Sequence, residues 1–188
     1  MGLTTLEAAK AQCGVTVSAD DTEVTAFIAA ATAAMEQRAG RHLEADAMTE
    51  YLTGDGRSKL WLQEPVDVAG ITSLHVDSNR VYAAATLIDA DDYVVDGCCV
   101  EYVNNSWITS PRAIKVVYPT GFATVPDDLI HACNVQVAKL YSEWQAAKAG
   151  LNILADHNVQ GWSQSFLGHR GLDPEVEEIV DRYQPPRV

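Results

Sequence analysis

The sequence has few basic residues and a large excess of acidic ones. Of its 188 residues, 13 are Lys or Arg and 26 are Asp or Glu, which gives a formal net charge of −13. The acidic residues are spread along the whole chain, without an acidic tail or a basic block. Such a surface repels nucleic acid and anionic lipid. Ordinary nucleic-acid binding is therefore excluded as a function.

The sequence also lacks long apolar runs, a leader pattern and a cysteine motif. No stretch reaches the roughly 18 apolar residues that a membrane span needs. The first residues show neither the basic nor the apolar region of a signal peptide. The four cysteines include no C-x-x-C pair. We therefore expect a soluble protein with free thiols, made in a reducing cytoplasm and not bound to a membrane.

Catalytic signatures are missing as well. The sequence contains no G-x-S-x-G, H-E-x-x-H, Walker or G-x-G-x-x-G motif. Two groups of side chains could still hold a metal ion, and they are Asp89, Asp91, Asp92 with Asp96, and Asp156 with His157 and His169. Neither group follows an established ligand spacing. We therefore expect no enzyme activity, no metal and no cofactor.

Capping residues and apolar spacing predict four helices. Thr4 and Glu7 form a capping box at the start of the first helix. Acidic residues begin the second and third helices, because a carboxylate is stabilised at the positive N-terminal end of a helix. The last helix is predicted to start at Asp173, which is followed by Pro174. The predicted helices cover residues 6–12, 18–40, 127–150 (capped by Asp127 or Asp128) and 175–183.

Between the second and third helices the pattern changes to that of strands. The turn residues Gly54-Asp55-Gly56-Arg57 predict a hairpin that pairs 49–53 with 58–63. Further strands are expected at 71–77, 81–88, 93–96, 98–103 and 113–118. The fold class predicted is α+β, mainly a bundle of four helices with an inserted β-rich segment and an extended C-terminal arm that ends in a short helix.

The expected organisation is one composite domain. Its parts are the N-terminal helices (1–48), the β-rich insertion (49–122), the long bundle helix (123–150), and the arm with the docking helix (151–188). The arm shows neither helical nor strand periodicity, but it carries the apolar side chains of Trp162, Phe166 and Leu167. Apolar side chains in such a segment need another surface to bury against. They are candidates for contacts between subunits. The last helix is too short to be stable alone, so it too must dock.

The order of these segments resembles the head–tail connector, or head-completion adaptor, proteins of tailed bacteriophages. The resemblance is carried by LTTLEAAKAQCGV, then SADDTEVTAFIAAATAAMEQRAGR, then IKVVYPTGFATVPDDLIHACNVQVAKLY, and finally LDPEVEEIVDRYQPPRV. The third of these contains the family's strand, Tyr-x-x-Gly turn, Val-Pro-acidic cap and long helix. The resemblance is weakest at 49–110 and 151–170.

This resemblance implies a structural protein of the virion that assembles in the host cytoplasm. It implies a ring of copies, commonly twelve, beneath the portal protein, which extends the DNA channel without binding DNA specifically and docks the next neck or tail-completion protein. The portal-contact candidates that it implies are Leu172, Val176, Ile179, Val180 and Tyr183, with Arg182 and Arg187 as polar partners. Removing residues 172–188 is then expected to leave a folded monomer that does not attach.

Two other interpretations stay open at this stage. The chain could be another neck or tail-completion protein, one layer further from the head. From a different class, the β-rich segment could be a small ligand- or carbohydrate-binding module, whose stacking groups would be Trp61, Tyr93, Tyr102 and Trp107. Such aromatic side chains more often pack in a core or between subunits.

Overall fold

A computed structural model describes residues 2–66, 70–149 and 171–185, together with the backbone of 158–159 and 162–163. The chain divides into two compact units. Met1–Gly40 and Val125–Pro186 form the helical unit, and Arg41–Thr124 form the β unit. None of the described helices is both long and apolar enough to cross a membrane.

The described part of the helical unit contains the four helices expected from the sequence. They are α1 (Leu6–Cys13), α2 (Asp21–Ala39), α3 (Asp127–Lys148) and α4 (Pro174–Asp181). Gly14 and Gly40 end the first two in the left-handed conformation, with φ of 69° and 68°, which a residue without a Cβ adopts at little cost.

The cap residues differ from two of the predictions. Thr5, not Thr4, caps α1, because its hydroxyl accepts a hydrogen bond from the N–H of Ala8. The Thr4 hydroxyl instead donates to Asn134 Oδ1 on α3, at 2.7 Å. Helix α3 begins after Pro126, so neither Asp127 nor Asp128 is its cap. Both are first-turn residues, where a carboxylate still favours the helix N-terminus.

The helical core forms where α2 packs against α1, α3 and α4. Small side chains of α2, such as Ala31 and Ala39, are buried and let the neighbouring helices come close. Val24, Ile28 and Met35 lie on the same side of α2 and are also buried. The alanine-rich sequence of α2 thus explains why one helix contacts three others.

The β unit consists of two antiparallel sheets, each with three strands. Its strands are β1 (Asp46–Leu52), β2 (Lys59–Trp61), β3 (Ser73–Val76), β4 (Tyr93–Asp96), β5 (Cys99–Tyr102) and β6 (Ile114–Thr120). Their order is β1-β6-β3 in one sheet and β2-β5-β4 in the other. Beyond them, β7 (Asn158–Val159) pairs with β8 (Trp162–Ser163).

Two predictions for the β unit are wrong. Strands β1 and β2 do not form a hairpin, since β1 pairs with β6 and β2 pairs with β5. Residues 81–88 form loops around a short 3-10 turn at Ala84–Thr86 instead of a strand. The turn residues at Gly54 have another use, because a Cβ there would lie 2.6 Å from the backbone oxygen of Ile108. Gly54 therefore allows a close approach between two chain segments.

The core of the β unit forms around Trp107 and Tyr118, both fully buried. Along β6 buried and half-buried residues alternate, so Ile114, Val116 and Tyr118 point to the same side. This is the period of a strand with one face in the core. The described residues confirm an α+β fold with four helices. They do not confirm a mainly helical bundle, because two three-stranded sheets stand beside the helices.

Candidate functional site

The sequence-based site residues centre on α4, whose start is fixed by local chemistry. Asp173 caps the helix by accepting from the N–H of Glu175 at 3.1 Å, and Pro174 occupies the first turn. Apolar residues then follow at helical spacing. Leu172, Val176, Ile179 and Val180 are all buried within the helical unit, where α4 packs on α3 and α2.

Polar contacts hold both ends of α4 in place. At its start, the backbone N–H of Asp173 donates to the buried Oε1 of Gln136, at 2.9 Å. At its end, the Tyr183 hydroxyl donates to both carboxylate oxygens of Asp128, at 2.6 and 2.8 Å. Burial and this hydrogen bond to a carboxylate raise the pKa of Tyr183 to about 12. Tyr183 therefore stays a neutral donor at any physiological pH.

An exposed ion pair joins α4 to α2. The Arg38 guanidinium donates from Nε and Nη2 to the two oxygens of Asp181, at 2.7 and 2.8 Å. This bidentate geometry favours the ionised carboxylate. The hydrogen bonds from Arg38 hold the pKa of Asp181 below its usual range. Glu177 lies beside the same guanidinium, with an oxygen 3.3 Å from Nη1.

This packing changes the interpretation of the portal-contact candidates. Leu172, Val176, Ile179 and Val180 dock α4 on its own unit, so their side chains are not available to another protein in this arrangement. Arg182 is exposed and pairs with Glu178 one turn earlier, at 3.2 Å. Arg187 lies outside the described residues, as do Phe166 and Leu167. For Trp162 only the backbone is described, in β8.

The β unit contains buried carboxylates that the sequence analysis missed. Glu64 is 4% exposed. Its oxygens accept from the backbone N–H of His42 at 3.0 Å and from the Thr120 hydroxyl at 2.6 Å, and one lies 2.7 Å from His42 Nδ1. Glu50 accepts from the Tyr118 hydroxyl and from the N–H of Gln63. Burial, then this bond to Glu50, raises the pKa of Tyr118 well above its usual value.

These carboxylates have structural partners, and the described residues offer no metal centre. No group of three or more His, Cys, Asp or Glu side chains there could hold a metal ion. The candidate metal ligands Asp89, Asp91, Asp92 and Asp96 lie among these described residues. Asp156, His157 and His169 lie outside the described part of the chain.

Three of the described cysteines are poor nucleophiles. Cys13, Cys98, Cys99 and Cys133 are free thiols. Burial raises the pKa of Cys133 to about 11, and it also raises the pKa values of Cys13 and Cys98. A thiol with a raised pKa forms little of the reactive thiolate at neutral pH.

The aromatic groups that suggested a carbohydrate module do not form a platform. Trp107 is 1% exposed and its ring packs on that of Tyr102, with centroids 4.6 Å apart. Tyr93 is half-buried and packs against the same core, while Trp61 is exposed on β2. A cleft of about 720 Å³ next to Tyr102 is lined otherwise by polar residues and two valines. The stacking residues therefore serve mainly as core.

The profile of the head completion protein family matches residues 2–184 of this sequence. The chain belongs to the head completion protein family. This membership confirms the resemblance noted in the sequence and, with it, the role of a head–tail adaptor. No curated protein matches the chain. The match also covers the β unit and the segment 151–170, where the sequence motifs were weakest.

Chains in solved structures of gene transfer agent particles have the same fold as this family member. A chain from the "Virion of native gene transfer agent (GTA) particle" has a TM-score of 0.65 at 20% identity, over 99% of this chain and 91% of that one. A chain from the "Neck of empty GTA particle computed with C6 symmetry" has a TM-score of 0.63 at 19% identity, over 99% and 91%. A third, from the "Neck of native GTA particle computed with C12 symmetry", has a TM-score of 0.57 at 21% identity, over 88% and 84%.

Proposed function

We propose that this protein forms a ring of twelve copies in the neck of a tailed phage or phage-like particle. The ring lies beneath the portal, extends the DNA channel, and carries the next neck or tail-completion protein. The observation that carries the proposal is the family match over nearly the whole chain. Chains with the same fold in necks computed with C6 and C12 symmetry support a ring, and the C12 symmetry supports twelve copies.

The charge of the chain suits a channel through which DNA moves. A net charge of −13 repels phosphate, so the duplex passes an acidic wall without sticking to it. We infer a purely structural role, located in the virion, with no chemical step. The raised thiol pKa values and the structural partners of the buried carboxylates agree with that role.

The portal contact that we propose uses the exposed side of the C-terminal segment. The apolar residues of α4 hold it on the helical unit, which leaves Arg182 and its neighbour Glu178 at the surface. Arg182 and Arg187 are then the residues that pair with the portal. Charge reversal by Arg182→Glu should weaken binding to purified portal rings. Arg57→Glu is the matched control, since Arg57 is exposed in the β unit.

Electron microscopy of particles made without this gene tests the whole proposal. We expect separate tails beside heads that are empty or leak DNA, because the joint between them is missing. Supplying the wild-type gene in trans should restore joined particles. Intact, joined and infectious or gene-transferring particles in the deletion lysate would overturn the adaptor role. Joined heads with an incomplete tail would instead place the protein one layer further from the head.

A further inference from the structure

Four side chains on the β unit form one continuous surface, which we call the basic–aromatic surface (Tyr51, Tyr82, Arg112 and Lys115). The Arg112 guanidinium carbon lies 5.0 Å from the centroid of the Tyr51 ring. The Tyr51 and Tyr82 rings are 5.5 Å apart, and Lys115 Nζ lies 5.7 Å from the Tyr82 centroid. Each cation therefore rests over a tyrosine, which fixes its position.

Strand pairing brings this surface together. Tyr51 on β1 stands directly opposite Lys115 on β6. Their neighbours Glu50 and Val116 point into the core, so Tyr51 and Lys115 share the outer side of the sheet. Because these partners are 64 positions apart in the sequence, no local pattern could reveal the surface.

A strained loop holds Tyr82 in position. The buried carboxylate of Asp77 accepts from the backbone N–H groups of Asn79, Val81 and Tyr82, at 2.8 to 2.9 Å. Tyr82 and Arg80 have φ of 52° and 61°, a region that side-chain-bearing residues rarely adopt. Val81, between them, is 73% exposed. Such strain at an exposed apolar tip is typical of a functional surface.

The charge of the surface is not neutralised by the protein's own acidic residues. Among the described residues, Arg80, Arg112 and Lys115 take part in no ion pair, although the chain has twice as many acidic as basic residues. Tyrosine and arginine are also the residue types that dominate the binding energy of protein interfaces. The surface therefore fits an acidic protein partner.

We propose that the basic–aromatic surface binds an acidic edge on a second copy of this chain. The acidic edge consists of Asp89, Asp91 and Asp92 around the turn Ala90–Asp92, and of Val94 on β4. All four residues are exposed, Val94 by 58%, and β4 is an edge strand. The three carboxylates form no ion pair with any described residue. The proposal rests on the ring put forward above.

The two surfaces differ, so the contact is head-to-tail. A contact between two different patches of identical copies closes into a ring when the rotation between them divides a full turn. A C2 dimer would use the same two surfaces only where both contacts formed at once, each copy's basic–aromatic surface on the other's acidic edge. DNA is the less favoured partner, because a few cations on a chain of net charge −13 neutralise few phosphates.

Cross-linking of the full chain tests the contact directly. Unlabelled and ¹⁵N-labelled protein are mixed, both in concentrated solution and during assembly in particles, and treated with a carbodiimide that joins amines to carboxylates. We expect peptides that join Lys115 of one isotope to Asp89, Asp91 or Asp92 of the other. Absence of such mixed-isotope peptides from both preparations would overturn the proposal.

Charge exchange provides the second test. Arg112→Glu with Lys115→Glu should weaken self-association on the order of 30-fold, measured by sedimentation velocity, and lower the yield of joined particles. Asp91→Lys with Asp92→Lys should do the same, and the four changes together should restore both readouts. The matched control is Arg57→Glu with Lys59→Glu, which changes the net charge equally at exposed positions of the same unit.

The outcomes separate this proposal from the proposed function. If the acidic-edge variant fails to rescue the basic one, while the basic variant alone loses affinity for DNA in a filter-binding assay, the surface contacts DNA and the proposal is wrong. If particles without the protein are joined but the charge exchange still restores self-association, the contact between copies stands and the adaptor role fails. Circular dichroism of each variant checks that the fold is kept.

Discussion

The helical unit and the β unit bury different kinds of polar group. Among the described residues, the buried polar ones are Thr4, Thr32 and Gln136 in the helical unit and Glu50, Glu64, Asp77 and Thr120 in the β unit. Buried polar side chains are thus neutral in one unit and mostly carboxylates in the other. A buried carboxylate is costly unless several donors reach it.

The difference shows two ways of fixing a chain segment. In the helical unit the buried polar side chains make neutral hydrogen bonds beside a docked apolar face, as where the N–H of Asp173 donates to Gln136. In the β unit each carboxylate accepts from several donors and holds a loop, as Asp77 does for residues 79–82. We therefore expect the helical unit to depend on apolar docking and the β unit on intact hydrogen-bond networks.

The largest loss of stability is expected from removing residues 172–188. The truncation takes away the buried side chains of Leu172, Val176, Ile179 and Val180, each of which contributes about 1.5–3 kcal/mol by its burial. Their sum approaches the whole stability of a domain. The helical unit should therefore lose its cooperative unfolding in a urea titration followed by circular dichroism. This prediction replaces the expectation of a folded monomer.

The matched control for this truncation removes residues 185–188 alone. It leaves α4 and Tyr183 in place, so its unfolding midpoint should stay close to that of the full chain. A cooperative transition of unchanged midpoint in the longer truncation would show that α4 contributes nothing to the helical unit.

The next largest effect is expected from Trp107→Ala in the β unit. Trp107 is 1% exposed, and large-to-small changes of such a residue cost about 3–5 kcal/mol. Trp61→Ala is the control, because Trp61 is 50% exposed and its loss should cost under about 0.5 kcal/mol. Both are measured by urea unfolding. Equal losses in the two variants would contradict the core assigned to Trp107.

A smaller loss of stability, but one that tests the hydrogen-bond network more directly, is expected from replacing Glu64. Glu64→Ala leaves the His42 N–H and the Thr120 hydroxyl without their acceptor, which costs about 1–3 kcal/mol for the buried hydroxyl and less for the half-buried N–H. Glu64→Gln keeps one acceptor oxygen and should cost less. Glu101→Ala, at an exposed position of β5, is the control. If Ala and Gln at position 64 are equally destabilising, the network does not hold this part of the unit.

The same contrast explains what the sequence could reveal. Helices were predicted because their signals are local: Asp173 and Pro174 mark the start of α4, and Gly40 marks the end of α2. The need for α4 to dock on another surface follows from the helical spacing of its apolar residues. What sequence spacing could not show is that the surface covered by Val176 and Val180 belongs to the same chain.

Strand pairing could not be predicted to the same degree. Only β4 and β5, joined by the turn at Gly97, pair as their sequence indicates. Strand β1 pairs with β6, which lies far along the chain. The choice of this partner depends on which side chains of each strand face the core. The Glu64 network and the basic–aromatic surface were missed for that reason. Their members meet only after distant strands have paired.

The smallest loss of stability is expected from breaking the surface contact between Arg38 and Asp181. Because the folded-state pKa of Asp181 lies below its unfolded value, the pair stabilises the helical unit at neutral pH. That contribution should fade as the pH falls from about 4 through the folded-state pKa. Asp181→Asn should therefore lower the thermal midpoint slightly at pH 7 and leave it unchanged in acid, where the wild-type carboxylate is protonated. Scanning calorimetry of both proteins across this range measures the difference. A gap between them that persists in acid would mean that Asp181 acts through packing and not through its charge.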